Sequence, residues 1–226
     1  MCGIFLFSAT LSVSELVALI PYPDVTSGGG ITLKGLHFTM KLILIRHGET
    51  DYTVEKRYCG GAIDAPLNQK GVRQAQRLRR LLSKHKVDVI YASPMKRTLQ
   101  TADIALGQRK IKLIKDSLLR ESHLGKWEGH TLAEIKKKFP RDVQKWYKDP
   151  IKCGATDGET PIMLHKRVTR FLKRISNGNH NGKIIAIVTH SGPFRIIVGE
   201  MNGNGLNDFW NLEPKTCEYR IVHSKQ

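Results

Sequence analysis

The 226 residues carry 40% hydrophobic and 25% charged side chains, a globular balance that excludes disordered and fibrous classes and allows one domain of α/β size. No apolar run approaches the roughly 18–20 residues of a membrane-spanning helix, so no membrane partner is expected. Thirty-seven Lys and Arg against 20 Asp and Glu leave +17, which draws anions without choosing among nucleic acid, anionic membrane and small phosphorylated metabolites.

Residues 1–39 differ from the rest of the chain. They hold Lys34 against Glu15 and Asp24, so the remaining 187 residues carry 36 basic and 18 acidic groups. A secretory signal needs a positive start and a continuous apolar stretch; the first is missing, and Ser12, Ser14 and Glu15 break the second. The segment reads as an N-terminal extension, unstructured or a mis-assigned start, with a domain spanning 40–226 after it. Cys2, Cys59, Cys153 and Cys217 form no CxxC pair and have no zinc-type spacing. That pattern disfavours a disulfide framework or structural zinc and fits a reducing, cytoplasmic setting.

From Lys41 onward, short runs rich in Val, Ile and Leu alternate with amphipathic segments. Leu42–Ile45 reads as the first strand and exits into Arg46-His47-Gly48-Glu49-Thr50. Residues 70–86 come next as a helix, with Val72, Ala75, Leu78 and Leu82 at helical spacing. Val87–Ala92 is the second strand, leading through Ser93 and Pro94 into a helix over 94–106 with Arg97 in its first turn. Ile111–Ile114 is the third strand. Leu118-Leu119 then opens a segment holding two carboxylates, Glu121 and Glu128. Helices are expected over 131–139 and 160–176, a strand over Ile184–Thr189, a helix over 193–199 behind His190-Ser191-Gly192, and a last strand over Cys217–Val222. Such alternation predicts a three-layer α/β/α sandwich with a mainly parallel sheet.

Ligands in open α/β sheets bind beyond the carboxyl ends of the strands, and here three strands bring two His and two Arg to that edge. A neutral imidazole is a competent nucleophile toward phosphorus. Guanidinium forks match phosphate oxygens, and a helix N-terminus adds backbone donors. There is no Walker-type loop and no cluster of carboxylates and histidines at metal-ligand spacing, so neither metal nor cofactor is expected. Electrostatic stabilisation would rest on fixed cations. A proton donor for the leaving oxygen is still needed, and Glu121, directly after an apolar strand-like exit, is preferred over Glu128.

Taken in order, Arg-His-Gly-Glu-Thr, Ser-Pro-x-x-Arg-Thr-x-x-Thr-Ala, Leu-Arg-Glu-x-x-x-Gly-x-Trp-Glu-Gly, Gly-Glu-Thr before a helix, and Thr-His near the end resemble the histidine phosphatase superfamily, the phosphoglycerate-mutase-like fold. The resemblance covers about residues 40–226. It implies that His47 attacks phosphorus, that Arg46, Arg97 and His190 hold the phosphoryl oxygens, and that Glu121 protonates the leaving group and then activates water. It also implies that Thr53, Cys59, Gly60 and Ser191 line the substrate pocket. Three positions depart from the common pattern: Thr53 where Asn is usual, Cys59 where Gln or Ser often precedes Gly60, and Ser191 where Gly is frequent. These departures bear on substrate fit more than on chemistry.

Only 23 residues separate Arg97 from Glu121, too few for the longer insertion that closes mutase sites in the family. The resemblance therefore implies a metal-independent phosphatase acting on small phosphomonoesters through phosphohistidine, most similar to the alpha-ribazole phosphatase branch, with alpha-ribazole 5′-phosphate the specific candidate. The alternatives are a mutase-type phosphotransferase and a non-catalytic phosphate-binding relative. The partner is a small phosphorylated metabolite. Nucleic acid is not expected, because the basic helix around Arg73–Lys86 lacks interleaved aromatics and reads as a solvated face. Trp127, Trp146 and Trp210 read as packing residues. Oligomeric state is left open.

Overall fold

The computed structural model describes residues 40–178 and 180–223; the expectations for 1–39 fall outside them. The chain runs β1 (Lys41–Arg46), α1 (Asp51–Val54), α2 (Gln69–Leu82), β2 (Val89–Ala92), α3 (Lys96–Leu106) and β3 (Lys112–Lys115). Two 3₁₀ turns (Ser117–Leu119 and Gly125–Trp127) come next, then α4 (Leu132–Lys138), α5 (Pro140–Lys148), α6 (Pro161–Ser176), β4 (Ile184–Thr189), α7 (Ser191–Met201) and β5 (Tyr219–Val222). The sheet order is β3-β2-β4-β1-β5. Four strands are parallel; β5 alone runs antiparallel, against β1.

Side chains alternate between sheet faces along each strand, and the two faces are covered by different helices. Leu42 and Leu44 of β1, Tyr91 of β2 and Ile185 and Ile187 of β4 point to one side, where they meet Phe171 and Leu172 of α6 and Phe194 and Ile197 of α7. Ile43, Ile45, Ile90, Ala186 and Val188 point to the other, against Leu78 and Leu82 of α2 and Ala102 and Ala105 of α3. The expected three-layer α/β/α arrangement is thus present. A smaller core of Trp127, Ile135, Val143, Trp146 and Ala155, with Tyr58, Tyr147 and Trp210 packed on it, gathers the segment between β3 and α6.

Several boundaries depart from the sequence pattern for local reasons. The helix expected to reach Lys86 stops at Leu82, where the Arg109 guanidinium donates to the Leu82 carbonyl at 3.1 Å. The helix expected to begin at Pro193 begins at Ser191, which puts His190 at its N-cap. Helix α5 has no counterpart in the sequence reading. It is a nine-residue helix with Pro140 in its first turn, where proline's fixed φ and missing N–H are tolerated, and it buries little beyond Val143 and Trp146.

The loop after β1 lies directly on the first turn of α2. A Cβ on Gly48 would come within 2.8 Å of the Gly71 carbonyl oxygen, and one on Gly71 within 2.2 Å of the Glu49 carbonyl oxygen, so two glycines permit this approach. Asn68 caps α2 by accepting from the Gly71 amide at 2.8 Å.

Candidate active site

His47 directly succeeds β1 and is 5% exposed. Its Nδ1 lies 2.7 Å from the Gly48 carbonyl oxygen. A carbonyl can only accept, so the ring proton sits on Nδ1 and Nε2 keeps its lone pair. Burial, reinforced by the fields of Arg46 and Arg97, holds the His47 imidazole well below the usual histidine value. The ring is therefore neutral at physiological pH.

His190, at the end of β4, is fully buried and stands edge-on to His47, with ring centroids 5.2 Å apart. Its Nδ1 accepts from Arg97 Nε at 3.1 Å, so its proton is on Nε2, which donates to Ser93 Oγ at 2.8 Å. Burial, then Arg97 and His47, lower its pKa strongly as well. Both nitrogens are thus engaged by protein groups, and His190 acts directly on the guanidinium of Arg97.

Arg97 enters from the first turn of α3 and is 1% exposed. Besides His190, it donates to the Ile63 and Gly60 carbonyls, each at 2.9 Å. These three bonds fix the plane of the fork and leave two of its five N–H donors for a ligand. Arg46 donates to the Pro214 carbonyl at 2.5 Å, while its buried Nε finds no partner among the described residues. Gly60 has φ +33°, and a Cβ there would lie 2.1 Å from the Glu128 carboxylate; only glycine lets the loop bend there and present its carbonyl to Arg97.

The two carboxylates separate cleanly. Glu128 accepts from the backbone amides of Gly61, Ala62, Ile63 and Leu124 at 3.0–3.2 Å, so it holds together the loop on which Arg97 leans. Glu121 instead faces the start of α7, where Oε1 accepts from the Gly192 amide at 3.1 Å and from its neighbour Ser122 at 2.9 Å. The Glu121 segment is docked by two side chains that the sequence did not single out. Thr189 Oγ1 donates to the Leu119 carbonyl at 2.8 Å. Arg167 of α6, paired with Glu159 at 2.8 Å, donates to the carbonyls of Leu118, Arg120 and Glu121 at 2.8–3.0 Å.

The remaining expected residues divide. Ser191 opens α7 beside Glu121's anchor at Gly192. Thr53 spends its hydroxyl in the cap of α1, 3.0 Å from the Thr50 hydroxyl. Cys59 points its thiol at the Ile63 carbonyl within its own loop, and burial raises its pKa.

The profile of the histidine phosphatase superfamily (branch 1) matches residues 42–226. The chain belongs to that superfamily. This histidine phosphatase is 32% identical over 187 residues to phosphoserine phosphatase 1 of Hydrogenobacter thermophilus, covering 83% of this chain and 88% of the relative. It is 30% identical over 173 residues to the adenosylcobalamin/alpha-ribazole phosphatase of Escherichia coli, covering 76% and 84% respectively. Among solved structures it resembles the alpha-ribazole phosphatase from Shigella flexneri, with TM-score 0.75 and 29% identity, covering 80% of this chain and 89% of that one. The histidine phosphatase fold expected from the ordered motifs is therefore the fold observed. No helix among the described residues is long and apolar enough to cross a membrane.

Proposed function

We propose that this phosphoric monoester hydrolase cleaves small phosphomonoesters without a metal, through a phosphohistidine on His47, using the unit over residues 40–226. The observation that carries the reading is the tautomer of His47: the Gly48 carbonyl fixes the proton on Nδ1, leaving a neutral Nε2 lone pair beside two guanidinium groups. Nε2 attacks phosphorus as the P–O ester bond breaks. The leaving oxygen takes its proton from Glu121, entering protonated for this step. A water then attacks the phosphorus, Glu121 receives its proton, the P–N bond breaks, and inorganic phosphate leaves. Arg46 and the two unspent donors of Arg97 meet the phosphoryl charge, and His190 fixes the Arg97 fork.

Helix α7 supports Glu121 in its later role. The Gly192 amide holds one Glu121 carboxylate oxygen in place, which keeps the group aimed at the site when it acts as a base. The notion of a relative that binds phosphate without turning it over has less support, since a binding pocket gains nothing from a carboxylate docked through Arg167, Thr189 and Gly192. The free thiols of Cys59, Cys153 and Cys217 fit the cytoplasmic setting inferred from the sequence. Alpha-ribazole 5′-phosphate is one member of the substrate class, and the phosphoryl end of the site does not select it over others.

Alkaline quench during turnover, with intact-mass measurement before and after acid treatment, tests the intermediate. A phosphoramidate on His47 is lost in acid and survives alkali; the reverse stability would assign an acyl phosphate instead. Phosphate release measured beside 2- to 3-phosphoglycerate interconversion tests the class, and mutase turnover exceeding release would contradict a phosphatase.

A further inference from the structure

The tautomer of His47 depends on one peptide plane. The Gly48 carbonyl oxygen, 2.7 Å from His47 Nδ1, and the Glu49 N–H belong to the same planar unit, and in a trans peptide the two point to opposite sides. On the far side the Glu49 N–H donates to Gln74 Oε1 at 2.9 Å. An amide N–H can only donate, so the oxygen of Gln74 meets it and Nε2 is turned the other way, where it donates to the Thr216 hydroxyl at 3.0 Å. Gln74 is half-buried on α2, three positions after Gly71, whose missing Cβ lets the helix lie on the Glu49 backbone. Residues three apart share a helix face, so Gln74 meets the same stretch of chain.

The outer end of Gln74 reaches the turn that holds the rest of the phosphoryl site. Two positions before Thr216, the Pro214 carbonyl accepts from the Arg46 guanidinium at 2.5 Å. One position after it, the Cys217 amide donates to the His47 carbonyl at 3.1 Å, from a backbone with φ +55°. That left-handed conformation is unfavourable for a residue with a Cβ and persists where the surroundings fix it. With its amide on Gln74, the Gly48–Glu49 plane cannot rotate without breaking two hydrogen bonds at once, and donation from the amide strengthens the Gly48 oxygen as an acceptor. Once the plane swings, His47 Nδ1 loses its acceptor. The proton is then free to settle on Nε2, where it occupies the lone pair that attacks phosphorus.

We propose that Gln74 is a positioning residue for the nucleophile. Its oxygen holds the peptide plane that keeps the His47 proton on Nδ1, and its nitrogen ties that plane, through Thr216, to the turn that holds Arg46. This proposal rests on the phosphohistidine reading of the same site and deepens it, since Gln74 acts on the reaction through the backbone.

NMR of the full chain carrying nitrogen-labelled histidine reads which ring nitrogen of His47 holds the proton, with the His47→Ala protein identifying its signals. The unaltered protein is expected to show Nδ1 protonated. Gln74→Met, of similar length but without either hydrogen bond, is expected to populate the Nε2-protonated tautomer and to lose about ten- to hundredfold in kcat/KM. The loss should be equal for nitrophenyl and alkyl phosphates, because the nucleophile is affected and the proton donor is not. Gln74→Glu keeps an oxygen for the Glu49 amide, and the Thr216 hydroxyl can turn to donate to the other; it is expected to restore the tautomer, and the rate to within several-fold. A weakened fold alone would leave the tautomer of the folded molecules unchanged. Thr216→Val cuts the outer bond only and is expected to cost about three- to tenfold with a smaller tautomer shift; it serves if Gln74→Met does not fold. Retention of the Nδ1 proton or of the full rate in these two variants, or a shift that Gln74→Glu does not reverse, overturns the proposal. Turnover retained by His47→Ala would overturn the phosphohistidine reading, whereas a tautomer shift in Gln74→Met would still uphold the grip of Gln74 on that peptide.

Discussion

Glu121 and Glu128 lie seven positions apart in one motif, and replacing each by Gln separates the proposed proton donor from a loop anchor. In Glu128→Gln, one carboxylate oxygen becomes an NH₂ group. If it takes the place of Oε2, it confronts the amides of Ala62 and Ile63, which now donate to that oxygen at 3.0 Å. Ala62 is exposed and can turn to water, whereas Ile63 is half-buried and the charge that strengthened all four bonds is gone. Hydrogen bonds to charged groups contribute about 1.5–3 kcal/mol each, and a donor left unsatisfied costs a similar amount. The net destabilisation is about 2–4 kcal/mol, or roughly 5–15 °C in Tm for a chain of this size. Activity should fall for all substrates alike, because the carbonyls of Gly60 and Ile63 that orient Arg97 lose their support. In Glu121→Gln the remaining carbonyl oxygen can still accept from the Gly192 amide, so Tm should move by less than about 3 °C. The loss of a general acid, about 10²- to 10⁴-fold, should appear with alkyl phosphates and largely vanish with p-nitrophenyl phosphate, whose leaving group needs little protonation. Thermal unfolding and kcat/KM across a leaving-group series measure both. If Glu128→Gln kept its Tm and showed the leaving-group dependence, while Glu121→Gln lost stability, the two roles would be reversed.

His47→Ala should reduce turnover by at least about 10⁴-fold while the unfolding transition remains cooperative, since the step loses its nucleophile; an appreciable fraction of the normal rate would disprove the assignment. His47 and His190 titrate well below 6.5 in the fold and near 6.5 when unfolded. Stability is therefore full above pH 6.5 and falls as the pH drops through that value, because the unfolded chain takes up protons that the fold refuses, at up to about 1.4 kcal/mol per pH unit for each ring. Chemical denaturation at pH 7.5 and 5.5 measures this, and an unchanged midpoint would contradict neutral buried rings. Turnover should survive exhaustive chelation, since guanidinium groups meet the phosphoryl charge; a loss reversed by a divalent ion would refute that. Arg167→Met should lower kcat more for alkyl than for nitrophenyl esters, since it frees the backbone that positions Glu121, and an equal loss on both would show that Arg167 acts on the fold alone.

Much of the architecture is legible in the sequence because it is local. Ile-rich runs of four to six residues and helices at 3.6-residue spacing leave their period in the chain, and a strand that ends in Arg-His-Gly puts those side chains at a sheet edge wherever the strand lies. His47, Arg97 and His190 can therefore be placed at one sheet edge from the order of residues, and Glu121 is singled out by the motif it shares with the family. Helix α5 is not legible, since it is a short, mostly polar segment whose apolar face is carried by just Val143 and Trp146. The strand order β3-β2-β4-β1-β5 and the reversed β5 depend on which strand ends meet across the sheet, which no local pattern records. The same holds for side-chain roles. Glu128 and Glu121 occupy one motif and share one chemistry, and what divides them is that one carboxylate meets four amides of a distant loop and the other meets the start of α7. Arg167 reaches three carbonyls about 47 positions away. A hydrogen bond or a desolvated cation is set by distances of a few ångströms and by exclusion of water, quantities that come into being only when segments far apart in sequence are brought together.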